Sequence, residues 1–343
     1  MAAAKVSFGM VESITRVSTV IKPVKTYVLV SGLDYHDIWS FNKYALNEKK
    51  RIDALANDKE IQIIYIVDIL PGTITKIEND EGTITETVTN YDKITKTNYS
   101  GHVFDNLGKT NYITKDVIYN LVGDIGSTNS KSLMEIHIFS HAYWNGPILA
   151  NTYESDPVDI DMRKNEIPSV ASKFTNALNA NGYVKIWGCS FPTLSNALYS
   201  RLRRNVKYKN SLIDEAEIFT YPANHFAFNL NGEDLDLVGF INKRLSTGFV
   251  VDKKIDLSFK QIKFIAAQDY LGLYAVNLAY YSNITVYAAL PATYAEITPS
   301  FTISSKTQQN VNFFKTHLNV TIDSDNYGKF DRTSVITINA MTP

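Results

Sequence analysis

Apolar positions in this chain fall into short continuous runs separated by stretches of helical spacing. The run Thr26-Tyr-Val-Leu-Val-Ser-Gly-Leu-Asp34 is rich in β-branched residues and stops at Gly32. Continuous apolar character over so few residues predicts a strand buried on both faces, as in parallel sheets. In 39–56 the large or small apolar residues Trp39, Tyr44, Ala45, Ile52 and Leu55 recur at helical spacing, and Ile61-Gln-Ile-Ile-Tyr-Ile-Val-Asp68 is a second buried run. Strand, helix and strand in this order predict a right-handed crossover.

Residues 73–99 differ. Thr, Ile and Val alternate around Asn79-Asp80-Glu81-Gly82, which is a hairpin signature and reads as an insertion on the sheet edge. Further on, 117–125 predicts a short helix, 133–140 a third strand and 168–180 a helix with Pro168 in its first turn. A fourth strand is expected at 183–188, a helix at 193–204, helical structure through much of 257–282, and a strand at 284–290 closed by Pro291. The tail alternates again at 302–304, 318–322 and 335–339, so a β-rich appendage is expected there. The expected division is a lead segment over 1–24, an α/β core over 25–295 and the appendage over 296–343.

Composition narrows the function classes. The 343 residues are 45% hydrophobic and 20% charged, ordinary for a globular protein. With 34 basic and 35 acidic residues the net charge is −1, which provides no field for nucleic acid or an anionic membrane. No apolar run reaches the roughly 18 residues of a membrane span. The first 24 residues lack the apolar centre of a signal peptide, so the expected place is the cytoplasm at synthesis, with specialised export or injection left open. There is one cysteine, which excludes an internal disulfide and a cysteine-based structural zinc site.

That cysteine carries the candidate chemistry. His141 directly follows the third strand, and Cys189 follows the fourth after a single Gly. Open parallel sheets bind ligands at the carboxyl ends of their strands. The pair is 48 positions apart, from 141 to 189, which fits one loop, one helix and one return strand. A free thiol with a pKa near 8.5 is mostly protonated at neutral pH, and a neighbouring imidazole that takes the proton leaves a strong nucleophile. The backbone N–H groups of Ala142 and Cys189 are the candidate oxyanion donors. Gly188 removes a side chain beside the nucleophile.

The segments Phe139-Ser140-His141 and Ile186-Trp187-Gly188-Cys189-Ser190, in this order and at this separation, resemble the caspase-like cysteine peptidases of clan CD. In caspases the His likewise precedes the Cys by about 50 residues. The resemblance spans residues 25–292 and lies closer in layout to the bacterial caspase-like and gingipain-like proteins than to true caspases. Ala142 stands where many members have Gly, and Trp-Gly-Cys stands where caspases have Gln-Ala-Cys. The resemblance implies a three-layer sandwich around a mostly parallel sheet, and a cysteine endopeptidase with His141 and Cys189 as its dyad, as a bacterial effector or a self-processing protease. It also implies that the loop after the first strand helps build the pocket for the residue on the acyl side of the cut bond. That loop carries Asp34 and Asp37 and no Arg or Lys, which points to a basic residue there. Helix capping is the alternative role for both acids, Asp37 above all. Tyr143 and Trp144, in the turn after His141, are expected to contact substrate.

The remaining candidates read as structural. His137 lies within the third strand and is assigned to packing; His36, His102, His225 and His317 have no cysteine or carboxylate context. A zinc pair of His137 and His141 is excluded by the strand, where i and i+4 lie about 13 Å apart. Asp156, Asp159 and Asp161 fall short of a calcium loop and read as a solvated turn. No Gly-x-Gly-x-x-Gly follows a strand, so neither metal nor cofactor is expected. Two functions fit: a cysteine endopeptidase acting on peptides or proteins, and a non-catalytic protein that keeps the sheet to bind a partner or serve as a structural or cargo component of a bacterial assembly. The β insertion and tail suit a protein partner under either.

Overall fold

The computed structural model describes residues 22–34, 40–95, 99–100, 103–104, 111–190, 193–202, 213–230, 233–297, 303–305 and 308–343. Eight strands form one sheet: β1 (Val24–Ser31), β2 (Ile61–Asp68), β3 (Thr73–Asp80), β4 (Thr83–Asn90), β5 (Leu133–Phe139), β6 (Leu178–Ile186), β7 (Thr285–Ala288) and β8 (Gly328–Phe330), in the order β8-β7-β6-β5-β1-β2-β3-β4. The five central strands are parallel, and β3, β4 and β8 are antiparallel additions at the two edges. In chain order the parallel strands are arranged 2-1-3-4-5. The direction of winding therefore reverses between β1 and β5, the place where an open α/β sheet forms its ligand crevice.

The continuous apolar runs have a simple cause. Successive residues of β1 enter opposite layers: Val28 and Val30 join one core, Tyr27 and Leu29 the other. The first core is shared with helices α2 (Lys115–Thr128) and α3 (Ile167–Ala177), through Ile118, Val122 and Phe174. The second is shared with α1 (Phe41–Asp53), through Phe41, Tyr44 and Ile52. The result is the expected three-layer α/β architecture around a mostly parallel sheet. The edge hairpin is also as expected. Glu81 and Gly82 both have positive φ, 52° and 80°, as a two-residue type I′ turn requires, and all eight residues of β4 are exposed.

Several elements differ from expectation. The 168–180 helix ends at Ala177, and β6 begins at once with Leu178 opposite Leu133, followed by an irregularity before Tyr183. Segment 257–282 is helical for much of its length, as expected, but in two helices. Ile255–Ser258 is a short strand, and α6 (Phe259–Leu271) is separated from α7 (Tyr274–Ser282) at Gly272 and Leu273, where Leu273 is extended at φ −70°, ψ 145°. The tail is largely helical rather than β-rich. The strand expected at 302–304 does form, as Ile303–Ser305 paired with Ala295–Ile297, but the rest contains α8 (Gln308–His317), the edge strand β8 and α9 (Arg332–Asn339). Between 335 and 339 the cap decides the outcome: the Asp331 carboxylate accepts from the Ser334 N–H at 2.8 Å, and Ser334 Oγ accepts from the Asp331 N–H at 3.1 Å. The helix then buries Val335 and Ile338 and leaves Ile336 exposed, a three-residue spacing. Residues 1–21, with most of the lead segment, lie outside the described residues.

The tail is also bound into both cores, Phe330 into the first and Tyr327 into the second. Phe330 and Tyr327 are fully buried, and Lys185 of β6 pairs with Asp323 (2.8 Å) and Asp325 (2.5 Å) just before β8. Replacing Phe330 by Ala is expected to lower the unfolding free energy by about 3–5 kcal/mol, the cost of a large cavity in a rigid surround. Urea denaturation measures this, and a loss below about 1 kcal/mol would mean that the tail is a loose addition.

Candidate functional site

The carboxyl ends of β1, β5 and β6 converge at one edge. Ile138 of β5 lies opposite Ile186 of β6, and each chain runs three residues further, to His141 and to Cys189. The pairing continues past the strands: Trp187 N–H donates to Ile138 O at 3.0 Å, and Gly32 N–H donates to Phe139 O at 2.9 Å. His141 opens a small hairpin in which His141–Tyr143 pairs with Gly146–Ile148. Tyr143 and Gly146 close its two-residue turn. The next pair, Ala142 and Pro147, is then a non-hydrogen-bonded one, as Pro147 with no N–H requires. The Ala142 N–H is thus directed out of the hairpin.

The contact between the two chain ends is at Gly188. A Cβ on Gly188 would lie 2.3 Å from Ala142 Cβ, 2.7 Å from Ala142 N and 2.9 Å from Ser140 O. Glycine is therefore needed for the backbone of the Cys189 turn to touch the backbone beside His141.

His141 is oriented by Asp34. Its Nε2 lies 2.8 Å from Asp34 Oδ1, and the Asp34 side chain is 2% exposed. An ionised carboxylate only accepts, so Nε2 carries the proton and Nδ1 is left as the acceptor. Phe41 of α1 packs edge-on against the ring at 5.3 Å and 88°. Asp34, expected in a substrate pocket, here holds the histidine. The sequence offers an acid two residues beyond Gly32, but only the sheet order, which sets β1 beside the strand that ends at His141, brings it to the imidazole. Asp37 lies outside the described residues.

Cys189 is a free thiol of intermediate exposure. Its sulfur accepts from the Ala295 N–H at 3.2 Å; among the described residues its hydrogen bond comes from there and not from His141. Burial pushes the thiol pKa up, and the Ala295 N–H offsets this in part. The cavity beside the sulfur is about 20 Å³, with Ala142, Trp144, Pro147, Ile186 and Tyr274 among its walls, room for about one water. A second, larger cleft of about 670 Å³ lies at the ends of β1 and β2, where Asp34, Phe41, Asp68 and Tyr99 face it. Burial raises the Asp68 carboxyl pKa, although Asn42 Nδ2 donates to it at 2.5 Å.

Trp187 fixes the turn that carries Cys189. Its ring stacks on Phe139 (5.7 Å, 9°), lies under Lys185 Nζ (3.8 Å) and meets Tyr327 edge-on (5.6 Å), while Tyr327 OH donates to Trp187 O at 3.1 Å. Its indole N–H donates to His137 Nδ1 at 3.0 Å. His137, assigned to packing, thus belongs to a polar network. With Nδ1 accepting, Nε2 carries the proton and donates to Glu135 at 2.9 Å. Glu48, Glu135 and His137 place their ligand atoms within 4.8 Å of one another, yet Arg51 already pairs with both carboxylates and Nε2 is protonated. Arg51 and the imidazole N–H thus already engage these carboxylates within the chain.

The three acids after the hairpin are engaged rather than solvated. Asp161 is buried and accepts from the N–H groups of Leu149 (2.7 Å), Ala150 (2.8 Å) and Thr152 (2.7 Å). Asp159 pairs with Lys115 and Arg163, and Asp156 accepts from the Tyr153 N–H. Tyr143 is exposed and Trp144 half-buried, their rings 5.8 Å apart. No helix among the described residues is long and apolar enough to cross a membrane.

No family model and no curated protein matches the chain. Among solved structures, it is similar to a secreted C11 cysteine protease from Bacteroides thetaiotaomicron in complex with an irreversible peptide inhibitor, at 10% identity and a TM-score of 0.32, covering 90% of this chain and 89% of that one. A second structure of a secreted C11 cysteine protease from the same organism, called iotapain, aligns at 12% identity and a TM-score of 0.30, covering 89% of this chain and 73% of that one. At these scores the likeness lends no weight to a shared chemistry.

Two outcomes follow from this geometry. Gly188→Ala must push Ala142 away, and overpacking of this kind costs about 1–3 kcal/mol or more; a variant with unchanged thermal unfolding would contradict the close approach. A raised thiol pKa means less thiolate at neutral pH, so iodoacetamide should alkylate Cys189 at least about tenfold more slowly in the native protein at pH 7.5 than in urea, with the native rate climbing only above the ordinary thiol pKa of about 8.5. Native alkylation as fast as that in urea would mean an accessible or activated thiol.

Proposed function

We propose that the chain is a cysteine peptidase whose nucleophile is Cys189 and whose base is His141. The observation that carries this reading is the position of both residues three places beyond the paired Ile138 and Ile186, with Asp34 on the far nitrogen of the imidazole. This is the arrangement of nucleophile, base and orienting acid that activates a weak nucleophile. Cys189 Sγ attacks the carbonyl carbon of a peptide bond as its proton passes to His141 Nδ1. The oxyanion is held by the N–H groups of Ala142 and Cys189. His141 returns the proton to the leaving amine, and water then hydrolyses the thioester, giving up its own proton to His141 and restoring the thiol. Before this, the sulfur must leave the Ala295 N–H and swing toward the imidazole. The cleft of about 670 Å³ takes the side chain on the acyl side of the bond. Asp34 is committed to His141, so Asp68 is the carboxylate that receives an Arg or Lys there.

A second reading has its own support. The apolar surroundings that raise the Cys189 pKa are those of an inert, structural thiol. Under it the sheet is a scaffold, and the exposed hairpin β3–β4 contacts a partner. Fluorogenic peptides ending in Arg, Lys, Asp, Asn or Leu separate the two. The peptidase reading expects turnover of the Arg or Lys substrate, lost by at least about a thousandfold in Cys189→Ala and in His141→Ala, both of which stay folded. Turnover that survives Cys189→Ala sinks the assignment. Turnover of the Asp substrate alone sinks the acidic pocket, and no turnover of any favours the scaffold.

A further inference from the structure

A third cavity, of about 380 Å³, lies between the turn after His141 and two helices, α5 (Leu237–Leu245) and α6. Tyr143, Trp144 and Phe240 supply aromatic walls, and Leu194 of helix α4 (Thr193–Leu202) and Leu237, both almost fully buried, supply apolar ones. Tyr143 and Phe240 are 41% and 50% exposed, so the mouth is open to solvent.

Its charges do not cancel. Arg244 Nη2 lies 2.6 Å from Asp269 Oδ1, and the Asp269 side chain is 4% exposed; this pair is neutral overall. Lys164 has no such partner: among the described residues no carboxylate lies within ion-pair distance. Its ammonium sits 3.9 Å over the Trp144 ring and 3.3 Å from Gly272 O, the carbonyl at the end of α6. The ring face and the helix terminus explain why a cation rests here. They leave its full charge uncompensated and use one of its three N–H donors. Half-burial lowers the Lys164 pKa, as expected for an ammonium in surroundings that do not neutralise it. Among the described residues the cavity therefore carries one net positive charge among mostly apolar walls.

We infer that this cavity binds a monoanion, a carboxylate carried on a flat apolar body, with the carboxylate on Lys164 and the body between Trp144 and Phe240. Its volume is that of a small-ligand site. One net charge matches a carboxylate rather than a phosphate dianion, and the walls would desolvate a ring far better than an inorganic ion. The site needs no chemistry at Cys189, so it stands whether or not the chain is a peptidase. A ligand there would touch the turn that carries Tyr143 and Trp144, two residues beyond His141.

Isothermal titration of the full chain with phenylpropionate, phenylpropionamide and inorganic phosphate tests the site. The carboxylate is expected to bind at least about tenfold more tightly than its neutral amide, which is about 1.4 kcal/mol, and more tightly than phosphate. Lys164→Gln should erase the preference of acid over amide, and Phe240→Ala, at an exposed position that folding does not need, should weaken both aromatic probes. Equal binding of acid and amide, tighter binding of phosphate, or no binding of any probe by the wild-type chain at about 5 mM overturns the inference. Should Lys164→Gln fail to fold, the acid-to-amide ratio in the wild-type and Phe240→Ala proteins decides it alone.

Discussion

Side chains on two neighbouring parallel strands can meet beyond the strand ends only if the chains leaving those strands stay in contact, and here the contact is made at Gly188. Adjacent strands lie about 4.8 Å apart, and any side chain at 188 would occupy the space of Ala142. The absent Cβ lets the ladder persist past Ile186 through the Trp187 N–H to Ile138 O bond. The Cys189 turn is thereby held against the His141 hairpin. Asp34 depends on the same edge, because β1 pairs with β5 on the other side and Gly32 N–H donates to Phe139 O. Three strands in one register bring an acid, an imidazole and a thiol to one end of the sheet.

What keeps that end rigid lies mostly in the second core. Trp187 is gripped by Phe139, Lys185 and Tyr327, and its indole N–H sets the tautomer of His137. His137 in turn donates to Glu135, which Arg51 ties to α1. Within this network, among the described residues, each buried charge has a partner, and pairing is what allows it there, since an isolated buried ion costs several kcal/mol. Lys185 serves both sides, pairing with two aspartates of the tail while covering the Trp187 ring. The tail therefore braces the turn that carries the cysteine.

The central strands were legible from sequence because each is buried on both faces, so apolar residues run on through successive positions and no period has to be guessed. The positions of His141 and Cys189 followed from where those runs stop. The role of Asp34 was not legible, because it depends on which strand lies beside β5. That neighbour, β1, is the first strand of the chain, far away in sequence, and only the sheet order brings the two together. The tail misled for a different reason. Val335-Ile-Thr-Ile-Asn339 has the composition of a strand, but five residues cannot distinguish a period of two from one of three or four. The capping box of Asp331 and Ser334 settles it, at about 1 kcal/mol, more than the propensity difference between the two states. The break between α6 and α7 is likewise tertiary: the Tyr274 N–H donates to Trp144 O at 2.8 Å, outside its own helix.

The state of the thiol is governed less by the histidine than by the segment after β7. Residues 289–295 close over Cys189 through the Ala295 N–H to sulfur contact and the Ser190 N–H to Thr293 O bond at 3.0 Å. That segment holds Ala292 at φ 62°, a left-handed conformation that costs an alanine about 1–2 kcal/mol. Asn310 Nδ2 donates to the Ala292 carbonyl at 2.7 Å and helps to offset the strain. A neutral hydrogen bond nets about 1 kcal/mol, and one to sulfur is weaker. The force holding the sulfur away from water is therefore comparable to the strain stored at Ala292, directly before Thr293 in the same segment.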